Sequence, residues 1–246
     1  MEIRPLDSAD IDSVRHIARE SLAASYAVLG DETIETAIEE WYAADAFDDY
    51  LDSDEMVFLV AADEDDVVGF SQSHIVETDD KGRILWLHVA PEHRGRHIAT
   101  ELFDATRDML TERGTDRITG LVLAENEAGN HFYGTHGFEQ LYDRTIMIAG
   151  NAHVENVYGE EGTAPGELAP RTATDGEQLY VDFEESSRGS TGPFHPSYLK
   201  QDRTQLYGWY CSNCDTTDNA MDSMGHIECN QCGNLRKATR WDAAYL

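Results

Sequence analysis

The four cysteines of the chain fall as two pairs, Cys211-Ser-Asn-Cys214 and Cys229-Asn-Gln-Cys232, in the pattern C-x2-C-x14-C-x2-C. No other feature restricts the fold so tightly. Each C-x2-C pair reads as a knuckle offering two thiolates, and four thiolates complete a tetrahedron around one zinc ion with no position left open. Such a site is structural. Gly233-Asn234 suits the tight turn of the second knuckle, and strands are expected around 205–210 and 235–241. About forty residues bury little apolar area, so the metal should be required for this part to fold. Free thiols and two disulfides are the competing readings, and a reducing compartment favours metal over disulfide. His226 reads as a loop residue, since four thiolates suffice.

Composition decides the kind of surface. Across 246 residues, 18 Lys and Arg stand against 48 Asp and Glu, a formal net charge of −30. A general nucleic-acid binder takes its phosphate affinity from Lys and Arg, so that class is excluded, and anionic lipid is repelled. With 41% hydrophobic and 9% aromatic residues the chain has enough apolar material for a core, so the acidity belongs to a folded surface. Lysine occurs only as Lys81, Lys200 and Lys237, the other cations being arginine. This depletion points to adaptation to concentrated salt, where a Debye length of roughly 3 Å at 1 M screens self-repulsion. The start, Met1-Glu-Ile-Arg-Pro-Leu, holds no apolar signal core. Apolar stretches such as 56–62 fall short of the roughly 20 residues of a membrane span. A cytoplasmic protein with no membrane partner is expected.

Residues 1–149 read as an α/β domain. A strand at 2–5 leads through a Ser8 or Asp10 cap to a helix with Ile11, Val14, Ile17 and Leu22 on one face. A second helix follows around 35–43. Strands at 56–62 and 67–76 flank a polar turn, and a third, 84–90, stops at Pro91. A helix from Ile98 to Arg113 ends at Gly114, followed by a strand at 117–123, a short helix at 127–136 and a closing strand at 138–149. The order β-α-α-β-β-β-α-β-α-β is that of a mixed sheet with helices on its faces. Hydrophobics thin out in 150–178, around Gly159-Glu-Glu-Gly-Thr-Ala-Pro-Gly-Glu, which reads as a linker. Residues 179–246 form the second domain, with a strand at 179–183, a loop at 186–196 and the cysteines.

Chemistry concentrates in Leu85-Trp-Leu-His-Val-Ala-Pro-Glu-His-Arg-Gly-Arg-His-Ile-Ala-Thr-Glu-Leu. A strand runs into a loop and then a helix, and loop amides together with a helix amino terminus make an anion site. In a chain so poor in cations, His93, Arg94, Arg96 and His97 fall within five residues. The competing reading is a solvated basic turn. Beyond the next strand comes Asn126-Glu-Ala-Gly-Asn-His-Phe-Tyr-Gly-Thr-His-Gly-Phe.

Together the two segments resemble the GNAT superfamily of acyl-CoA-dependent N-acyltransferases. Arg94-Gly95-Arg96-His97-Ile98-Ala99 resembles its pyrophosphate loop, Arg/Gln-x-x-Gly-x-Gly/Ala. Asn126, Gly129, Phe132, Tyr133, Gly137 and Phe138 resemble its Asn-x-x-Ala-x-x-Phe-Tyr-x-x-x-Gly-Phe pattern. The resemblance covers about 1–149. It implies a mixed, mostly antiparallel sheet splayed open between the strands 84–90 and 117–123, with acetyl-CoA in the cleft. It further implies that Leu87 and Val89 hold the pantetheine by their backbones, and that Arg94, Gly95, Arg96, His97, Ile98, Ala99 and Thr100 cradle the pyrophosphate. Asn126 then contacts the cofactor arm, and Tyr133 protonates the departing thiolate, a task for which a phenol's ordinary pKa of about 10 suffices. Helix packing beside Phe132 is the bland alternative for Tyr133. The strand 84–90 lacks the carboxylate base of many relatives; His88 is the candidate there, and Glu125 ends the neighbouring strand. His131 and His136 read as exposed helix residues. His97 stands where the family usually has Gly, so its ring turns outward, adds a phosphate contact, or weakens the site.

The region 179–246 resembles an uncharacterised zinc-ribbon domain of halophilic archaea, a resemblance that carries no activity. The expected function is acetyl transfer from acetyl-CoA to an amine in a ternary complex, with structural Zn2+ in a ribbon that docks a protein partner or covers the cleft. The alternatives are a non-catalytic acyl-CoA-responsive adaptor whose ribbon binds a protein or RNA partner, and a ribbon-guided modifier of RNA or of a ribosomal protein, the tail Arg236, Lys237, Arg240 and Trp241 hinting at nucleic acid.

Overall fold

The computed structural model describes all residues except 27–28, 44–46, 48–49, 52, 65, 77–80, 149–150, 164, 223–224 and 238–246. The chain divides into two units, Met1–Leu121 and Val122–Leu246. The first holds strands β1 (Glu2–Pro5), β2 (Met56–Asp63), β3 (Asp66–Val76) and β4 (Lys81–Val89), helices α1 (Ile11–Ser25), α2 (Asp31–Trp41) and α3 (Ile98–Glu112), and most of β5 (Arg117–Leu123).

Local chemistry explains these boundaries. Asp7 accepts the Ala9 amide and Asp10 returns the bond to the Asp7 amide at 2.9 Å, a reciprocal cap that starts the turn leading into α1. Arg4 locks the cap through Asp10 at 2.6 Å. Helix α2 begins at Asp31 rather than near 35, because Gly30 at φ 78° breaks the chain and acidic Asp31 and Glu32 suit a helix start. Helix α3 ends as expected, with Gly114 at φ 92° and its amide bonded to the Thr111 carbonyl. Behind the sheet an aromatic core forms, with Phe58 stacked on Phe70 at 5.5 Å and Tyr42 edge-on to Phe70.

Strands β1 to β4 pair antiparallel in chain order. Strand β4 then pairs in parallel with β5, from Lys81↔Arg117 to Ile84↔Gly120, where the register ends although both strands continue. On its other edge β4 carries a bulge, since Gln72 faces Trp86 and Ser73 faces Ile84, leaving Leu85 unpaired. Such an extra residue bends a strand and re-aims the side chains after it.

The second unit takes up the chain at Val122. It contains α4 (Glu127–Thr135), β6 (Phe138–Ile148), β7 (Asn151–Glu160), β8 (Ala169–Thr172), β9 (Gln178–Val181), β10 (Phe194–Tyr198), β11 (Leu206–Cys211), β12 (Asn219–Met221), β13 (Ile227–Cys229) and β14 (Leu235–Arg236). The linker expected at 150–178 is corrected here. Strand β7 pairs with β6 along its whole length, from Phe138↔Glu160 to Ile148↔Asn151, and β8 pairs with β9. The inward positions of β7 include His153 and Glu155, which meet Glu125 and Arg144, so the strand does not read as apolar. The loop expected at 186–196 gives way to buried β10 at Phe194. Strands β11-β10-β9-β8 form one small sheet and β12-β13-β14 another. Of the strand expected at 235–241, β14 ends at Arg236, and 238–246, with Arg240 and Trp241, lie outside the described residues. Among the described residues no helix is long and apolar enough to cross a membrane.

Candidate active site and cysteine centre

The free end of β4 leads through Pro91–His93 into a loop and α3. Leu87 and Val89 pair with Ser71 and Gly69 of β3. A side chain at 69 would come within 2.9 Å of the His88 carbonyl, so glycine is what lets β3 lie this close. Gly95 adopts φ 77° and His97 φ 65°, both left-handed. His97 is the residue immediately before α3 and makes no side-chain cap. The left-handed backbone gives the physical reason for a glycine at this position, and an imidazole there carries strain. Ile98 is buried and anchors the first turn, while Ala99 and Thr100 are partly exposed. The first amides of α3 have no acceptor within the helix.

The arginines of this loop are engaged within the protein. Arg94 donates from Nη2 to Ser21 Oγ at 3.1 Å and Ser25 Oγ at 3.2 Å, and from Nε to the Val89 carbonyl at 3.4 Å. Arg96 holds Asp63 at 2.8 Å and His93 Nδ1 at 2.8 Å, keeping the Asp63 carboxyl below its usual range. Ser21 also meets His88 Nδ1 at 2.8 Å. The His88 ring is buried between Phe70 and Trp86, at 5.1 and 5.2 Å. Burial first, and then Arg94, push its pKa down to about 3. A ring held neutral in this way is a poor acceptor for a substrate proton, which argues against His88 as general base. Ser21 and Ser25, four residues apart on α1, escaped the sequence reading; their signal was hydroxyls beside an apolar stripe.

In the second unit, Asn126 caps α4, its Oδ1 accepting the Gly129 amide at 3.0 Å. Asn130 is the busier residue. Its Nδ2 donates to the Leu123 and Asn126 carbonyls, and its Oδ1 accepts from Tyr158 at 3.0 Å and Asn156 at 2.7 Å. The Tyr133 ring is buried, stacked on Tyr158 at 5.3 Å and tilted against Phe138. Glu125, at the end of β5, meets His153 Nδ1 at 3.2 Å. His153 lay in the expected linker and was missed for that reason.

The four cysteine sulfurs lie within 4.8 Å of one another, with Cys214 and Cys229 3.4 Å apart and Cys211 and Cys232 3.7 Å apart. A tetrahedron of sulfurs about 2.3 Å from a central ion has edges of about 3.8 Å, so the four-thiol set has the size of a metal cage. Asn234, itself buried, donates to Cys211 Sγ at 3.4 Å. The Asn213 side chain holds the Cys232 thiol down at about 6, whereas burial pushes Cys214 up.

Residues 17–138 match the family model described as Acetyltransferase (GNAT) family, and residues 175–246 match that of a Family of unknown function (DUF5816). The spermidine N(1)-acetyltransferase of Thermoplasma acidophilum is 27% identical over 144 residues, covering 56% of this chain and 88% of that protein. Among solved structures, the PaiA N-acetyltransferase of Thermoplasma acidophilum in complex with coenzyme A aligns with a TM-score of 0.56 at 23% identity, over 65% of this chain and 97% of that one. The yncA protein of Salmonella typhimurium, solved with its cofactor acetyl-CoA, aligns with a TM-score of 0.50 at 19% identity, over 68% and 98%. At these identities the structural likeness establishes the fold.

Proposed function

We propose, from the premise that the amino-terminal part of the chain is an N-acetyltransferase domain of the GNAT type, that it transfers acetyl from acetyl-CoA directly to an amine bound beside it. The observation that carries this reading is the end of the β4–β5 register at Ile84↔Gly120. It leaves the amides around Leu87 to Val89 along an open edge for the pantetheine arm and the thioester carbonyl; one such preorganised donor is typically worth about 3 kcal/mol. The pyrophosphate sits on the amides from Gly95 to Thr100. Arg94 and Arg96, tied to Ser21, Ser25 and Asp63, shape that loop and bias its potential.

Tyr133 donates the proton to the CoA thiolate as the carbon–sulfur bond breaks. His153 takes the proton of the attacking amine. With Nδ1 engaged by Glu125, Nε2 is the atom left to take it. Holding both substrates together replaces a bimolecular encounter. The activity for which the Thermoplasma relative is named, spermidine N(1)-acetylation, suggests a polyamine acceptor. Zn2+ at Cys211, Cys214, Cys229 and Cys232 is structural, because four thiolates leave no position for substrate. His97 in a strained backbone favours one second reading, an acyl-CoA-responsive adaptor without turnover.

CoA-thiol release measured against an amine panel that includes spermidine, in molar KCl, separates the two. Turnover should fall about a hundredfold or more in Tyr133→Phe while acetyl-CoA binding is kept. Binding without turnover on any amine favours the adaptor.

A further inference from the structure

Arg144 of β6 faces Glu155 of β7 across the strand pair, and both are buried. Arg144 Nη2 lies 2.7 Å from Glu155 Oε2, and Nη1 donates to Glu185 Oε2 at 3.2 Å. Glu185 belongs to the carboxy-terminal module, in the segment after β9. Its other carboxylate oxygen accepts the Tyr142 hydroxyl at 3.1 Å. A second arm runs alongside. Arg203 donates to Asp182 Oδ2 at 3.0 Å and lays its guanidinium 4.6 Å from the centre of the Tyr142 ring. Two guanidinium groups and three carboxylates thus meet between β6–β7 and the module, all of them buried. Charges taken from water in this way persist only when every partner is in place.

The same segment connects to the cysteines. The Glu185 backbone carbonyl meets His195 Nδ1 at 2.8 Å, and His195 stands on β10 next to Phe194, which pairs with Cys211. Phe194 and Trp209 form one apolar cluster with Cys211, Ile227 and Cys229, against which Cys214 and Cys232 pack. Contacts therefore run without a gap from the four thiols through β10 to Glu185 and Arg144.

We propose that the carboxy-terminal module is a clasp acting within the chain: its Asp182–Glu185 face is a docking surface for the β6–β7 strand pair, and metal at the four cysteines holds that face in position. This gives residues 175–246 a role distinct from recruiting an outside partner. A module without its metal loses the cluster that fixes β10, Glu185 shifts, and Arg144 and Tyr142 lose a partner at once. Strand β7 also carries His153, so loosening reaches the proposed base. The docking itself does not depend on acetyl transfer.

Hydrogen exchange followed by mass spectrometry on the full chain, with bound metal counted beforehand, tests this. One zinc per chain is expected. Chelation should speed exchange at least tenfold in 206–236 and equally in 138–160. Glu185→Gln should keep its zinc yet exchange at least tenfold faster in 138–160, and Tyr142→Phe should do so more weakly, which covers the case in which Glu185→Gln does not fold. The proposal is overturned if the chain binds no metal, if chelation loosens 206–236 while 138–160 stays protected, or if neither variant changes exchange in 138–160.

Discussion

His88 links burial to pH in a way that can be measured without knowing the substrate. Its ring is buried, bonded through Nδ1 to Ser21, and flanked by Phe70 and Trp86, with no hydrogen-bond partner at Nε2 among the described residues. The folded pKa is about 3, set by burial and then by Arg94, against about 6.5 in an unfolded chain. The unfolded state therefore binds a proton first as pH falls. The stability associated with the neutral ring is fully present above pH 6.5 and is lost progressively down to about pH 3. At pH 5, about 1.5 units below the unfolded value, the loss is about 2 kcal/mol at about 1.36 kcal/mol per unit.

The measurement is urea unfolding of the wild type and His88→Gln at pH 7.5 and pH 5.0 in one molar salt concentration. The net charge of −30 makes carboxylate titration change both proteins, but that contribution is common and cancels in the difference. The wild type should lose about 2 kcal/mol more than the variant between the two pH values. A difference below about 0.5 kcal/mol would show that the ring is hydrated, and the burial argument, with the exclusion of His88 as a base, would fall.

Two other substitutions test single features. His97→Gly removes a left-handed backbone cost of about 1–2 kcal/mol against a glycine entropy cost of about 0.5–1 kcal/mol. Calorimetry should show a midpoint higher by up to about 2–4 °C with acetyl-CoA affinity kept, whereas a tenfold loss of affinity would mark the imidazole as a phosphate contact. Asn234→Ala removes the side chain that accepts the Thr191 amide and donates to the Gly192 carbonyl and Cys211 Sγ. Buried groups left unpaired make this worth about 3 kcal/mol, and competition with a chelator should show zinc held about 10- to 100-fold more weakly.

The parts legible in the sequence are those where backbone geometry forces a residue choice. The loop from Arg94 to Ala99 shows itself through Gly95 and a departure at His97, and the cysteine pairs through their spacing. Strand β7 was hidden because its inward side chains at 153 and 155 are His and Glu, held there by Glu125 and Arg144. Hydrophobic periodicity detects burial only where burial is apolar. Strand β10 was hidden likewise: in Phe194-His-Pro-Ser-Tyr198 the buried histidine bonds the Glu185 carbonyl and the buried serine the Gly208 carbonyl. In both cases the missing information was a partner distant in sequence.

The arginines carry that point into the chemistry. The excess of acid suggests that scarce cations gather where a polyanionic cofactor binds. Arg94 and Arg96 do lie at the loop, yet their guanidinium groups bond Ser21, Ser25 and Asp63, while Arg4, Arg19, Arg144 and Arg203 each hold a carboxylate. Each of these six arginines meets an internal acceptor. In the proposed reading, the side chain that looks like a phosphate ligand serves first to fix the loop backbone that would hold the phosphate. Replacing Arg94 therefore acts through the seating of α1 on the loop, and its effect on acetyl-CoA affinity should be matched by Ser21→Ala with Ser25→Ala, which leave the charge in place. If the serine pair is silent while Arg94→Ala abolishes binding, the guanidinium leaves its internal partners for the phosphate when the cofactor arrives.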